Sequence, residues 1–366
     1  MQATYEYIFA AIMIFVMLSA TVTTMVPLLD VNLSQAREYQ LELVADRVFN
    51  KILRTPGYPA DWGTDLTINY SDTSSLKDFG LALASARSAY ILDPNKVVKI
   101  ENGSRVDNLY YVSPQVAAQL LGLGSDYGFA LSILPVLNVT VTSVVDNNVY
   151  VYVTTQENIP APNANVSALA LWWESRKMFN ATSNSTTDWR GECVLEYTVD
   201  LESKGEREEG MAMIMLVNYH GIRTVDVVGA RQSLIGSVTG RYVTVVYPEN
   251  ESGSWKIEGD PLLVVYPYVF VGQIVNGSHG QAKWVINKGG KSHQTYELAW
   301  VDPYTNFIVL VARKQDVYSL VVVPRPWRIQ YQTGPLAGLH RVTLHRLAVI
   351  NGITHYVRLS IWRMSE

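Results

Sequence analysis

Hydrophobic and polar positions divide the chain into an N-terminal helical part and a long region of alternating strands. Residues 7–29 include no charged side chain, and an apolar helix of this length spans the roughly 30 Å hydrocarbon core of a bilayer. Residues 41–52 then repeat apolar positions at helical spacing among charged neighbours, and Thr55-Pro56-Gly57 predicts a stop. We therefore expect one long helix, kinked at Pro27, whose first half lies in a membrane or in a filament core.

A mixed region follows the helix. The apolar run from Phe79 to Ala84 predicts a short strand, and Asp93-Pro94 predicts the start of a short helix. Ser113-Pro114 is a good N-cap and first-turn pair for a second short helix that ends at Gly122, because serine accepts a bond from a free amide and proline fits the first turn. Residues 127–134 predict a strand.

From residue 138 onward the pattern is almost entirely alternating. Asp146-Asn147-Asn148 predicts a hairpin turn, and so does Asn351-Gly352, a strong hairpin signal between alternating apolar runs. The predicted fold class is α+β, mostly β, with a long hydrophobic N-terminal helix, a small α/β segment and two β-sandwich-like, Ig-like domains. The predicted boundaries are 1–56 for the helix, 57–136 for the small segment, 137–230 for the first sandwich and 231–366 for the C-terminal β-domain.

Composition narrows the functional classes. The chain has 366 residues, 48% hydrophobic and 17% charged, with a net charge of −4. No long run of Lys and Arg supplies the basic face that nucleic acid requires, so we expect no nucleic-acid partner. A single cysteine, Cys193, excludes an internal disulfide.

No motif in the sequence supplies catalytic chemistry. The six histidines form no H-E-x-x-H pattern, and there is no nucleophile elbow, phosphate loop or zinc spacing. The glycines of LGLGSDYG (residues 121–128) do not fit a dinucleotide-binding pattern and predict a helix cap and turn instead. We therefore predict no catalytic residues, no metal, no cofactor and no enzymatic activity. Cys193 is expected to be a buried, inert thiol.

One pair of segments resembles Ig-like extracellular modules. Residues 160–168 (PAPNANVSA) and 187–195 (TDWRGECVL) are similar to the P-x-x-x-A-x-V-x-A and T-D-x-x-G-x-A-x-V patterns of those modules. The first is a proline-marked entry to a strand, and the second is an Asp/Gly turn between strands. The resemblance implies a β-sandwich and carries no function.

The extreme N-terminus places one carboxylate, Glu6, at the start of the apolar helix. An ionised group there costs a few kcal/mol unless it is paired, which indicates a functional role. The run from Gln2 to Tyr7 resembles the processed N-terminus of archaeal type IV pilin-like proteins with class III signal peptides. If Gln2 is the first mature residue, Glu6 occupies the fifth position, where that family carries its glutamate. The resemblance implies that Gln2 and Glu6 serve processing and assembly, with a prepilin peptidase as a partner.

The flanking charges depart from the family. A class III leader has basic residues before its cleavage point, whereas here only Met1 precedes Gln2, and the first basic residue is Arg37. Taken literally, the positive-inside rule would place the body of the protein in the cytoplasm. We expect that the sequence lacks its leader and that Met1 is not the natural start.

The chain also contains nine N-x-S/T sequons, more than its composition would give by chance. This excess predicts an exported glycoprotein with N-linked glycans on surface loops. The candidate acceptors are Asn32, Asn69, Asn102, Asn138, Asn165, Asn180, Asn184, Asn250 and Asn276. Asn138 falls within a predicted strand.

These signals together predict a type IV pilin-like structural subunit of an archaeal extracellular filament, as a minor, tip or adhesive subunit. Its N-terminal helix would wait in the membrane and then pack against copies of itself or other pilin-like subunits. The alternative is a membrane-anchored extracellular binding or sensor glycoprotein that does not polymerise. A tethered surface hydrolase is a third hypothesis. All three would place the protein at the cell surface.

Overall fold

The fold is described from a computed structural model. It describes residues 2–364 apart from 66, 71–72, 102–110, 175–176, 202–210, 229–234, 249–255, 266–267, 276–283, 289–290, 303, 316, 325–327 and 335–339. The side chains of 2–10, 22, 24–34, 228, 235, 247–248, 268–270, 284–288, 291–293, 317 and 324 also lie outside the description. The described chain is mostly β, with one dominant helix.

Helix α1 runs from Gln2 to Arg54. The prediction of a long hydrophobic, membrane-spanning helix is wrong: the described apolar stretch is short, residues 11–21, and no described helix is both long and apolar enough to cross a bilayer. The predicted fold class is corrected in this element. Residues 7–29 contain no charge, but the described apolar stretch of residues 11–21 would span only about 16 Å at 1.5 Å per residue, about half of the roughly 30 Å hydrocarbon core.

The first unit packs the second half of α1 on a four-stranded sheet. The elements are α2 (Pro94–Val98), α3 (Pro114–Leu120), β1 (Tyr127–Pro135), β18 (Ile329–Gln332), β19 (Arg341–Ile350) and β20 (Ile353–Arg363), with strand order β18-β1-β20-β19. All pairs are antiparallel. The chain's last strands thus complete the sheet that begins at residue 127.

The two short helices begin at the predicted caps. The Asp93 side chain accepts from Asn95 N and that of Ser113 accepts from Val116 N, each satisfying an amide that lacks a helical partner. The predicted strand at 79–84 is wrong. Ala82 forms a single bridge to Leu92, and Gly80 lies against the backbone of Thr55, so no continuous neighbour is present to complete a ladder.

The second unit is a sandwich of two sheets. Its strands are β2 (Leu137–Val145), β3 (Asn148–Thr155), β4 (Asn165–Glu174), β5 (Lys177–Thr186), β6 (Glu192–Glu196), β7 (Met211–Tyr219) and β8 (Ile222–Val228). One sheet has the order β2-β3-β6 and the other β5-β4-β7-β8. The inward positions of both sheets form one apolar core, which includes the buried Cys193.

The two segments that carry the Ig-like resemblance are bonded to each other. The Thr187 hydroxyl donates to Ala161 O at 2.6 Å and accepts from Ala164 N at 2.8 Å. Asp188 Oδ1 accepts from the backbone amides of Arg190 and Glu192 and so closes the following turn. The Thr187 hydroxyl therefore holds the entry to β4 against the segment that leads into β6, and the Asp188 carboxylate stabilises the turn itself. Short polar side chains of this kind commonly bond to nearby backbone groups in turns.

The third unit is a second pair of sheets. Its strands are β9 (Ile235–Thr239), β10 (Tyr242–Pro248), β11 (Lys256–Val265), β12 (Tyr268–Val271), β13 (Ile274–Val275), β14 (Trp284–Lys288), β15 (Lys291–Leu298), β16 (Phe307–Lys314) and β17 (Val317–Pro324). One sheet has the order β13-β15-β10-β9, with β14 also paired to β15, and the other β12-β11-β16-β17.

A separate apolar cluster joins the second and third units. Leu169, Leu171 and Trp173 point away from the core of the second unit, on the opposite side of β4 from Ala168 and Ala170. They meet Phe307 and other residues of the β11-β16-β17 sheet. Strand β4 is therefore buried on both faces, which explains why its sequence reads as a continuous apolar run.

Candidate functional site

The first half of α1 presents an uncovered apolar surface. Seven consecutive large hydrophobic side chains are between 45% and 72% exposed: Ile12, Met13, Ile14, Phe15, Val16, Met17 and Leu18. Since an α-helix has 3.6 residues per turn, seven residues cover its whole circumference nearly twice. No face of this segment is covered by the described part of the chain. We call residues 11–21 the apolar segment.

The hydroxyl groups in and beside the apolar segment are satisfied within the helix. Thr21 Oγ1 donates to Met17 O and Thr23 Oγ1 donates to Ser19 O, each at 2.7 Å. A threonine that bonds four residues back needs no water for its proton, so its burial against another apolar surface costs less. These two positions therefore do not interrupt the surface that the helix offers to a partner.

The second half of α1 is anchored in the first unit. Its inward residues are buried in that unit's core: Leu41, Ala45, Val48, Phe49, Ile52 and Leu53. Lys51 Nζ donates to Leu120 O at 2.9 Å and lies 2.7 Å from Asp78 Oδ1. The cations Lys51 and Arg54 also occupy the last turn, where the helix dipole favours positive charge.

The C-terminal hairpin, formed by β19 and β20, contacts the same part of the helix. Arg346 of β19 lies 3.5 Å from Asp46 of α1, and its guanidinium carbon lies 5.8 Å from the centre of the Phe49 ring. Both ionic side chains are substantially exposed, so the ion pair adds little stability by itself. The contact joins two parts of the chain that are 300 residues apart in sequence.

The residues predicted for processing and assembly all lie in α1. The helix begins at Gln2 and includes Glu6 and Pro27 without a break. Their side chains are among those outside the description, so the predicted pairing of Glu6 and the predicted kink at Pro27 stay predictions.

The predicted glycan acceptors differ in accessibility. Asn69, Asn165, Asn180 and Asn184 are exposed. Asn138 is half-buried, with Nδ2 donating to Thr155 O at 3.3 Å and Oδ1 accepting from Gln156 Nε2 at 3.1 Å. Asn32 lies in α1 with its side chain outside the description, and Asn102, Asn250 and Asn276 lie wholly outside the described residues.

The described side chains offer little that resembles catalysis. Across the described ranges no group of three His, Cys, Asp or Glu side chains could hold a metal ion. Burial raises the pKa of the Cys193 thiol to about 11, so the thiol is protonated at neutral pH. Burial also lowers the pKa of His355 to about 4, so that imidazole is neutral.

Two buried lysines were missed by the sequence analysis. Lys96 and Lys99 are both completely buried, and burial lowers the pKa of each, that of Lys99 well below its usual value. Lys96 Nζ donates to Pro56 O at 2.8 Å and Ala82 O at 3.0 Å. The only sequence signal was their place in the apolar run KVVKI (residues 96–100).

The comparisons with known proteins do not assign the chain to a family. No protein-family model matches it, and no curated protein matches it. Among solved structures, human GIVD cytosolic phospholipase A2 aligns with 66% of this chain and 31% of its own length, at 9% identity and a TM-score of 0.10. A similarity at that level carries no argument about fold or function.

Proposed function

We propose that this protein is a type IV pilin-like structural subunit of an extracellular filament and assembles through helix α1. The observation that carries the proposal is the apolar segment, exposed around its entire circumference on a helix whose other half is fixed in a folded head. A helix that is apolar on all sides is normally buried. In this chain the described head leaves it uncovered, so its cover comes from outside the subunit.

The energetics favour several neighbouring helices over one. The seven side chains are about half exposed, so covering all of them contributes roughly 1 kcal/mol each, or about 7 kcal/mol in total. A single partner covers one side of the helix and contributes about half of that. Since association costs at least about 4 kcal/mol, a simple dimer gains little, whereas a bundle of helices from several copies covers every face.

The head suits a subunit that also makes contacts outside the filament core. Two β-sheet units and a mixed unit lie beyond the helix, and the two β-sheet units share a buried apolar cluster. This size supports a minor, tip or adhesive role over that of a small repeating subunit. Exposed sequons on the second unit support a location at the cell surface.

Phe15→Glu tests the proposal. Phe15 is 72% exposed in the middle of the apolar segment, and a carboxylate buried between apolar helices is costly. We expect the full chain to assemble into filaments or large oligomers once detergent is removed, and the variant to stay monomeric. Sedimentation velocity and electron microscopy measure the assembly, and thermal unfolding of the head should not change.

Tyr39→Glu is the matched control. Tyr39 is 62% exposed on the same helix but outside the apolar segment, next to the charged residues Arg37 and Glu38. This variant should assemble like the unmodified chain. Assembly of the Phe15→Glu variant at the same concentration, or a monomeric unmodified chain, would overturn the proposal.

A further inference from the structure

Strand β5 is a long edge strand of the second unit. All ten residues from Lys177 to Thr186 pair with β4 in unbroken register, and β4 is the only described strand that β5 pairs with. An edge of this kind presents unpaired amide and carbonyl groups, which are a template for another chain. Proteins usually block such edges with charge, proline, bulges or a covering element.

Beyond its first residue, the sequence of β5 supplies no charge, proline or bulge. Lys177 is its only charged residue, and it contains no proline and no register shift. Other edge strands are short, such as β12 and β18, or interrupted by a bulge, as in β2. Strand β19 carries Arg341 and Arg346. Among the described strands, β5 is therefore the longest edge that combines an unbroken register with no charge after its first residue.

Strand β5 contains two sequons. Asn180-Ala181-Thr182 and Asn184-Ser185-Thr186 follow one another along β5, and both asparagines are exposed. Residues four apart in a strand point to the same side, about 13 Å from each other. The exposed Asn165 lies on that same side, since it pairs with Thr186 of β5.

We propose that Asn180 and Asn184 carry N-linked glycans and that these glycans prevent edge-to-edge pairing of β5 between molecules. The donor is an oligosaccharide carried on a polyprenyl phosphate. The Nδ2 atom forms a bond to the anomeric carbon of the first sugar, the bond from that carbon to the phosphate oxygen breaks, and the lipid phosphate leaves with the bonding electrons. The amide gives up one proton to a base.

The neighbouring sequon at Asn138 supplies an internal contrast. Its Nδ2 already donates to Thr155 O, and its Oδ1 accepts from the side chain of Gln156. Modification there would require both bonds to break and a half-buried side chain to leave its strand. The structure thus separates two accessible sequons on β5 from one that is held within the sheet.

Peptide mapping of the protein isolated from its native source tests the modification. Mass spectrometry should find glycan on the peptides that contain Asn180 and Asn184, and none on the peptide that contains Asn138. Unmodified Asn180 and Asn184 in the mature, surface-derived protein would overturn the proposal. The test does not depend on filament assembly, so its failure leaves the proposed function standing.

A set of variants produced in the native host tests the role of the glycans. Asn180→Gln combined with Asn184→Gln should increase self-association of chains that also carry Phe15→Glu, which removes assembly through α1. Adding Thr182→Lys places a charge in the middle of the same edge and should return the protein to a monomer. Asn69→Gln removes an exposed sequon of the first unit and should have no effect on association.

Either of two outcomes would overturn the protective role. The double variant could stay as monomeric as its parent, which would show that the edge needs no cover. Alternatively its self-association could resist Thr182→Lys, which would place the contact elsewhere on the molecule. Thermal unfolding of each variant distinguishes edge pairing from aggregation of an unfolded chain.

Discussion

The side-chain nitrogen of Lys99 lies 5.0 Å from the centre of the Tyr70 ring, in the buried contact between the first and third units. It is also 3.4 Å from the hydroxyl of Thr239, at the end of β9. Beside it, Asn95 Oδ1 accepts from Gly240 N at 3.0 Å. A short helix of the first unit thus meets the β9–β10 turn of the third unit through a polar contact that contains a completely buried lysine.

Lys99→Met should stabilise the protein at neutral pH. Burial holds the pKa of Lys99 well below its ordinary value of 10.5, so the unfolded chain binds a proton that the folded chain resists. Stability therefore falls as the pH drops from about 10.5 toward the folded pKa and stays reduced below it. Replacing the amine by an apolar chain of similar length should add about 1 to 3 kcal/mol.

Urea unfolding at neutral pH and at about pH 10 measures this effect. The gain from Lys99→Met should be larger at neutral pH than at alkaline pH. Lys256→Met, at an exposed position of β11, should change stability by less than about 0.5 kcal/mol. A Lys99→Met variant that is less stable than the unmodified protein at neutral pH would contradict the prediction.

His355 should make the protein sensitive to mild acid. Burial lowers its pKa to about 4 from an ordinary 6.5, so the unfolded imidazole takes up a proton that the folded one does not. Stability should thus decrease as the pH falls from about 6.5 to about 4, by about 3 kcal/mol in all at 1.36 kcal/mol per pH unit. Below that range this contribution is constant.

His355→Leu is the variant that isolates this slope. Its unfolding free energy should depend less on pH between 4 and 6.5, whatever its absolute stability. His340→Gln alters an exposed histidine and should keep the slope of the unmodified protein. An unchanged slope in His355→Leu would assign the acid sensitivity to other groups.

Gly128 should resist replacement by alanine. A β-carbon at this position of β1 would lie 2.4 Å from Cε2 of Trp362, whose side chain is only 2% exposed. The rigid indole would have to move within the sheet's outer face, so Gly128→Ala should destabilise the protein by about 1 to 3 kcal/mol. Thermal or urea unfolding checks this value.

Gly334→Ala is the matched control, because an added β-carbon there has no neighbour within 4 Å. It should be nearly neutral. Equal stabilities for the two alanine variants would show that Trp362 is not held over Gly128 in solution.

Local sequence signals predicted the local structure well. The caps at Asp93 and Ser113 and the turns at Asp146 and Asn351-Gly352 all form. Asn351 and Gly352 both have positive φ, 51° and 76°, the backbone that a tight two-residue hairpin turn requires. These features depend on neighbouring residues alone, so the sequence contains what is needed to predict them.

The apolar segment of α1 was predicted only in part. The uncharged run of α1 indicated an apolar surface, but the predicted membrane-spanning length was wrong, since the described apolar stretch covers only residues 11–21. The sequence identified the sequons at Asn180 and Asn184 individually but did not predict that both lie in one edge strand. The pairing with β4 shows that β5 is an edge strand among the described strands and that Asn165 lies on the same side as Asn180 and Asn184.

The sequence by itself therefore determined the mostly β composition, the helix caps, the hairpin turns and the presence of an N-terminal helix. Periodicity and turn chemistry act over a few residues and do not depend on the remainder of the chain. Tertiary structure alone decided that the C-terminal strands β18–β20 pack in the same unit as α1, that β4 is buried on both faces, and that the side chains of Lys99 and His355 are buried. Each of these depends on contacts between distant residues, and such contacts arise from the packing of whole faces, which a one-dimensional pattern does not specify.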